Sequence, residues 1–250
     1  MIKICSNFVK LQSDQWGDEW SSRLFFCGDT HGGFEHIIEA VQQHMPAAVI
    51  FLGDLQARQP LHDQLKAILD QTQIWFIHGN HDTGSDTHYD NLFASELASR
   101  NLHGRVADVA GYRIAGLGGV FRGQVWFPPE PWRHIAPEDF LAQCRPDEHW
   151  RDGLPRKHRS TIFPIEIARL AVQRADILVT HEAPSAHPHG FQPMDELAQH
   201  LGVKRSFHGH HHDRRDYREH WPRLGFEAHG VGFRGITDES GNIVRSGDYD

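Results

Sequence analysis

The sequence predicts an α/β fold, because short apolar segments alternate with segments of helical periodicity. Continuous apolar runs at 24–27, 47–52 and 74–77 have the pattern of strands that are covered on both faces. Each run leads into glycine and polar residues, and helical patterns follow the first two. This alternation is typical of βαβ units. With 250 residues, we expect a single domain over 1–250.

The helices between these strands are recognised by apolar residues at helical spacing. A first helix is predicted over 34–44, ending before Pro46, and a second begins at Pro60. The apolar positions that define these two helices are Ile37, Ile38, Val41, Leu61, Leu65, Ile68 and Leu69.

The second half of the chain continues with helices and strands. We expect helices at 91–101, 162–174 and 194–201, and two strands within 106–121 joined at Gly111. Further strands are predicted at 176–179, 225–228, 231–233 and 243–245, with a turn at 238–241.

One segment, 122–160, breaks the pattern. It holds six of the 13 prolines and three of the seven tryptophans without a sustained period, which predicts an insertion or lid. Its last part is basic through Arg151, Arg156, Lys157 and Arg159. Two interpretations stay open: a solvated loop, or a rim that attracts anions to a site.

Charge and cysteine content favour some partners and compartments over others. The net charge of -8 offers no overall footprint for nucleic acid or for an anionic membrane. Cys5, Cys27 and Cys144 are odd in number and far apart, which suits a reducing compartment. Residues 1–20 lack the uninterrupted apolar segment of a secretory signal. We therefore expect a cytoplasmic protein without a membrane partner.

Candidate metal ligands collect at the predicted strand ends. Asp29 alone could be an ordinary turn residue, but His31 lies on the same side of an extended strand end. Of the 21 histidines, the cluster at 208–212 stands out. Mixed carboxylate, imidazole and amide ligands suit manganese, iron or zinc, and the set is large enough for two ions. Its members are Asp29, His31, Asp54, Asn80, His81, His181, His210 and His212.

Five short motifs resemble those of the calcineurin-like metallophosphoesterases. They read GDTHG at 28–32, GD at 53–54, GNHD at 79–82, TH at 180–181 and GHHH at 209–212, in the order of that family. The resemblance implies a four-layer α/β/β/α sandwich, in which two mixed sheets pack face to face between helices.

The resemblance also implies the roles of the site residues. Asp29, His31 and His212 would hold one divalent metal ion, Asn80, His181 and His210 would hold a second, and Asp54 would bridge the two. A metal-bridging hydroxide would attack phosphorus in line, with His81 as general acid or as a stabiliser of developing charge. His211, His208 and His78 are expected outside the ligand set.

The segment GDLQARQ at 53–59 differs from the GDxxDRG motif of serine/threonine phosphoprotein phosphatases. Arg58 falls at the offset of their phosphate-binding arginine, but Ala57 replaces the second aspartate and Gln59 the glycine. Asp82 stands where those phosphatases carry glutamate. Arg58 is therefore either a phosphate ligand or a surface arginine, and His81 needs another orienting partner.

These features predict a phosphatase that hydrolyses phosphomonoesters, on a small phosphorylated molecule or a phosphoprotein, with His81, Asp54 and Arg58 in catalysis. The alternative is a phosphodiesterase that acts on nucleotides or cyclic nucleotides. A catalytically silent metal-binding scaffold, recruiting partners through the tryptophan-rich insertion, is a third interpretation. The intact ligand set argues against it, because a scaffold has no need of Asn80 together with His81.

Overall fold

Two mixed five-stranded sheets form the centre of the protein. The computed structural model describes residues 24–250. Among them the strands are β1 Leu24–Cys27, β2 Ala48–Leu52, β3 Gln73–Ile77, β4 Arg105–Val109, β5 Tyr112–Leu117, β6 Ile177–Thr180, β7 Arg205–His208, β8 Glu227–Gly230, β9 Ile236–Asp238 and β10 Ile243–Arg245.

The helices of the described part lie in the order expected of an α/β fold. They are α1 Glu35–His44, α2 Leu61–Gln64, α3 Asp86–Phe93, α4 Pro137–Leu141, α5 Pro164–Ala171, α6 Gln192–Leu201 and α7 Trp221–Leu224. No helix between residues 24 and 250 is long and apolar enough to cross a membrane.

The order of strands brings parallel strand ends together in each sheet. The first sheet runs β10-β9-β1-β2-β3, with β1, β2 and β3 parallel, and the second runs β4-β5-β6-β7-β8, with β5 to β8 parallel. An antiparallel strand, β9 or β4, flanks each parallel set. Ligands in such sheets collect at the carboxyl ends of the parallel strands.

Alternating side chains along the strands produce three apolar layers. In β1, Phe25 and Cys27 pack toward α1, whereas Leu24 and Phe26 pack against the second sheet. The outer face of the second sheet packs against α5 and α6 through a separate cluster. The predicted sandwich of two mixed sheets between helices is therefore confirmed.

Two of the predicted elements are wrong. The helix expected at 91–101 lies instead at Asp86–Phe93. It begins there because the Ser85 side chain accepts a hydrogen bond of 3.1 Å from the His88 backbone N–H and caps the first turn. The strand expected at 231–233 is a loop with Arg234 at a positive φ of 57°. That loop carries the chain from the second sheet back to β9 of the first, a strand that the pattern did not predict.

The remaining elements are close to prediction, with shifted ends. The helices expected at 162–174 and from Pro60 onward are shorter, and the strand expected at 225–228 lies at Glu227–Gly230. The turn at 238–241 is present, closed by a hydrogen bond of 3.0 Å from Gly241 N to Asp238 O.

Candidate metal centre

The first group of metal-ligating side chains comes from both sheets. Ligand atoms of Asp29, His31 and His212 all lie within 4.8 Å of one another. His31 Nε2 and His212 Nε2 are 3.1 Å apart, a spacing that suits two nitrogen ligands each about 2.0–2.1 Å from one ion. Asp29 lies just beyond β1, whereas His212 lies beyond β7.

A second group lies beside the first. Ligand atoms of Asp54, His181 and His210 also lie within 4.8 Å of one another, and His181 Nε2 is 3.4 Å from Asp54 Oδ2. Asn80 is adjacent, with its Oδ1 3.4 Å from His181 Nε2. The structure thus brings together the seven residues to which the family resemblance assigned metal-ligand roles.

The Asp54 carboxylate lies between the two groups. Its Oδ2 is 4.0 Å from His31 Nε2 of the first group and 3.4 Å from His181 Nε2 of the second. The side chain is buried at 1% exposure. A carboxylate in this position can be shared by two cations.

Hydrogen bonds orient the ligand rings. His181 donates from Nδ1 to the Leu52 carbonyl oxygen at 2.7 Å, and His31 donates from Nδ1 to Gln56 Oε1. In both cases Nε2 is the nitrogen that faces the neighbouring ligands, the arrangement expected of metal-binding histidines. The Asp29 carboxylate accepts a hydrogen bond of 2.9 Å from the His210 backbone.

The backbone at the centre is unusually strained. His31, Asp54, His210 and His212 all have positive φ values, of 42°, 49°, 72° and 62°. Such values are uncommon for residues other than glycine and cluster at functional sites. Gly79 is required here, because a Cβ atom at that position would lie 2.2 Å from Asp54 Oδ1.

Three of the acidic groups at or beside the centre have a raised pKa. Burial raises the pKa of Asp29 to about 7, and burial together with the charge of Asp54 raises the pKa of Asp82 to about 7. Burial also raises the pKa of Glu182 to about 7. Buried carboxylates of this kind are stabilised by a neighbouring cation.

The Asp54 carboxylate and the His181 imidazole shift each other's pKa. Burial acts against ionisation of Asp54, but the charge and hydrogen bond of His181 hold its pKa below the ordinary range. Burial likewise acts against the imidazolium, yet Asp54 raises the pKa of His181 to about 10. A divalent ion would take the place of the His181 proton, because metal ligands bind in their deprotonated form. The donor set therefore fits divalent cations.

His81 and Arg58 lie at the edge of these groups. The His81 side chain is 52% exposed, and its Nε2 is 4.0 Å from Asp54 Oδ2. Its backbone N–H donates to Asp54 Oδ1 at 2.8 Å. Arg58 is exposed. Its side chain lies against the loop that carries His31, since a Cβ atom built on Gly32 would be 2.9 Å from Arg58 Nε. Within residues 24–250, Arg58 has no hydrogen bond or ion pair.

Three supporting residues were not identified from the sequence. Gln56 holds His31, and Asp82 accepts backbone hydrogen bonds of 2.8 Å from both Gly79 and Gln56. Glu182 accepts a hydrogen bond of 2.9 Å from Phe121 N and approaches His210 to 4.0 Å. Asp82 and Glu182 directly follow the motif histidines His81 and His181, so their positions in the sequence could have identified them. Gln56 carries no such signal.

The other histidines of the cluster have varied surroundings. His211 stacks on His187 at 4.0 Å between ring centroids and also lies within 4.8 Å of ligand atoms of Glu182 and His210. His208 Nε2 is 3.1 Å from the Tyr217 hydroxyl, and His78 lies against His103.

Segment 122–160 contacts the loop that carries His81. Ser160 Oγ and Thr83 Oγ1 are 2.7 Å apart, and Arg122 donates to Ser160 O at 2.9 Å. Two of the basic residues are neutralised by α3, Arg151 by Asp90 and Arg156 by Asp86. These exposed ion pairs link the segment to α3.

Comparison with known proteins identifies the family. A model of the calcineurin-like phosphoesterase family matches residues 22–214. The chain belongs to the calcineurin-like phosphoesterase family. An uncharacterized protein of Haemophilus influenzae is 45% identical over 221 residues, covering 88% of this chain and 96% of that protein.

The calcineurin-like phosphoesterase fold is also found in solved structures. The protein is similar to TT1561 of Thermus thermophilus, with a TM-score of 0.59 and 13% identity, over 91% of this chain and 99% of that one. At this identity the likeness supports the fold alone. Membership of the family implies metal-dependent hydrolysis of phosphoesters.

Proposed function

We propose that this protein is a two-metal phosphatase that hydrolyses phosphomonoesters. The observation that carries the proposal is the place of Asp54, whose Oδ2 lies within 4.0 Å of ligand nitrogens in both groups. A buried carboxylate shared between two histidine-containing groups suits a two-metal centre.

The two groups divide the proposed ligands between the ions. Asp29, His31 and His212 would hold one ion, Asn80, His181 and His210 the other, and Asp54 would contact both. Manganese, iron and zinc all suit this mixture of oxygen and nitrogen donors. When bound, such ions supply Lewis acidity to a phosphoryl group and neutralise its charge.

His81 is the proposed proton donor. Its exposed imidazole lies at the rim of the centre, 4.0 Å from Asp54 Oδ2, and belongs to neither ligand group. From there Nε2 can donate a proton to the oxygen of the leaving alcohol. Among the described residues, no side chain forms a hydrogen bond with the His81 ring. The orientation of the ring therefore depends on the substrate and on the backbone of 79–82.

Arg58 favours monoesters over diesters. A phosphomonoester carries one more negative charge than a diester, and a guanidinium can bind two of its oxygens at once. Arg58 is exposed beside the His31 loop and free of partners within residues 24–250. We propose that it binds the substrate phosphate, on either a small phosphorylated molecule or a phosphoprotein.

The test compares the rates at which two aryl phosphates are hydrolysed by the protein, which is loaded in turn with manganese, iron, zinc or magnesium. We expect p-nitrophenyl phosphate to be hydrolysed faster than bis-p-nitrophenyl phosphate. Arg58→Ala should lower monoester turnover about tenfold or more and change diester turnover much less, because a charged hydrogen bond contributes about 1.5–3 kcal/mol.

Arg169→Ala is the matched control, because Arg169 is an exposed arginine on α5. A preference for the diester, with no effect of Arg58→Ala, would favour the phosphodiesterase that acts on nucleotides or cyclic nucleotides. No turnover of either ester at full metal occupancy would reject the enzyme and favour the silent scaffold.

A further inference from the structure

An aromatic pair borders the first metal-ligand group. The Phe233 ring lies 5.5 Å from the His31 ring and 4.9 Å from the His212 ring, measured between centroids. Tyr249 stacks on Phe233 at 4.9 Å with an interplanar angle of 16°. Tyr249 is 70% exposed, so its ring is open to solvent beside the site.

The backbone joins this pair to the metal ligands directly. Phe233 N donates to the His212 carbonyl oxygen at 3.2 Å, and Arg234 N donates to the Asp29 carbonyl oxygen at 3.2 Å. The position of Phe233 is therefore tied to two of the proposed ligands.

The segment that carries Tyr249, here called the C-terminal turn (245–250), is held against the same loop. Asp248 N donates to the Phe233 carbonyl oxygen at 2.8 Å, and Arg245 donates to Asp248 Oδ1 at 2.9 Å. Asp250 Oδ2 accepts a hydrogen bond of 2.8 Å from Gly247 N. These bonds position the Tyr249 ring over Phe233, although Tyr249 itself is largely exposed.

We propose that Tyr249, supported by Phe233, is a binding platform for a planar aromatic group carried by the leaving alcohol, such as the base of a purine nucleotide. The inference rests on the proposed function, because the phosphate of that substrate would lie at the metal centre. Aromatic rings stack with centroids about 4.5–7 Å apart, and the Tyr249 ring is exposed for such a contact. A leaving alcohol without an aromatic group gains little from this surface.

The test uses adenosine as a product that cannot be hydrolysed, and AMP and glycerol phosphate as substrates of the manganese-loaded protein. Tyr249→Ala should weaken adenosine binding, measured by titration calorimetry, about tenfold, because the base loses its stacking contact with the ring. It should raise KM for AMP by a similar factor and leave KM for glycerol phosphate unchanged. Tyr249→Phe, which keeps the ring, should bind adenosine like the unsubstituted protein.

Trp132→Ala is the control for loss of an exposed aromatic elsewhere, because Trp132 lies in segment 122–160 and is 54% exposed. Unchanged adenosine binding in Tyr249→Ala, or an equal rise in KM for both substrates, would overturn the platform. Failure of the proposed phosphatase would show as no turnover of p-nitrophenyl phosphate or of either of these phosphates, and the adenosine titration would still decide the role of Tyr249.

Discussion

Single side chains at the metal centre separate into those that can hold a cation and those that act beside it. His181 is buried and has both ring nitrogens engaged, by Leu52 and Asp54. His81 is half exposed and contacts the centre chiefly through its backbone N–H. This difference in burial and bonding predicts a difference in function.

We expect His81→Ala to retain both metal ions and lose about 100- to 10,000-fold in turnover, the range for removal of a general acid. Metal binding should persist because the backbone hydrogen bond to Asp54 does not involve the side chain. Metal content by mass spectrometry and turnover of p-nitrophenyl phosphate check this. Loss of metal from the variant would instead place His81 among the ligands.

Among the secondary-structure elements, β8 and the β9–β10 turn meet at His229. Its ring stacks on Phe207 of β7 at 5.0 Å, and a Cβ atom on Gly241 of the turn would lie 2.2 Å from its Cε1. Its Nε2 is buried and has no hydrogen-bond partner in the described part of the chain. Burial lowers the pKa of His229 to about 4.

This pKa has a defined effect on stability. Because the folded-state pKa lies below the ordinary value of about 6.5, the neutral ring contributes stability above pH 6.5 that is lost as the pH falls toward 4. His229→Leu should therefore unfold with a weaker pH dependence, by up to about 1.4 kcal/mol per pH unit in that window. Urea titrations at several pH values check this. Parallel curves would show that His229 titrates normally.

Across the whole molecule, the packing of the two sheets determines the geometry of the metal centre. Asp29, His31, Asp54 and Asn80 follow strands of the first sheet, whereas His181, His210 and His212 follow strands of the second. Between the sheets, Phe26 of β1 and Phe207 of β7 stack at 3.8 Å with their planes 4° apart. Both are fully buried.

Phe207→Ala should lower the free energy of unfolding by about 3–5 kcal/mol, the usual cost of removing a buried aromatic ring. It should also weaken metal binding, because the two sheets carry different ligands of the same ions. Val172→Ala is the control, since Val172 is 83% exposed and should change stability by less than about 0.5 kcal/mol. Stability lost without any change in metal affinity would show that sheet packing and the site are independent.

The α/β class and the ligand residues could be predicted from the sequence because both depend on local patterns. An apolar strand followed by glycine and a polar residue occurs within a few positions, as at 24–31 and 47–54. The helix expected at 91–101 was wrong for a local reason as well, since the cap at Ser85 was overlooked. Arg58 stays a prediction.

Tertiary structure alone decided the contacts between residues far apart in the chain. Gln56 reaches His31 from a different strand end, and Tyr249 meets Phe233 only because a loop folds back beside His212. Such contacts depend on sheet order and loop path, which no short pattern encodes. Local patterns in the sequence therefore specify the motifs and their order, whereas the packing of the two sheets sets which side chains support them and what borders the site.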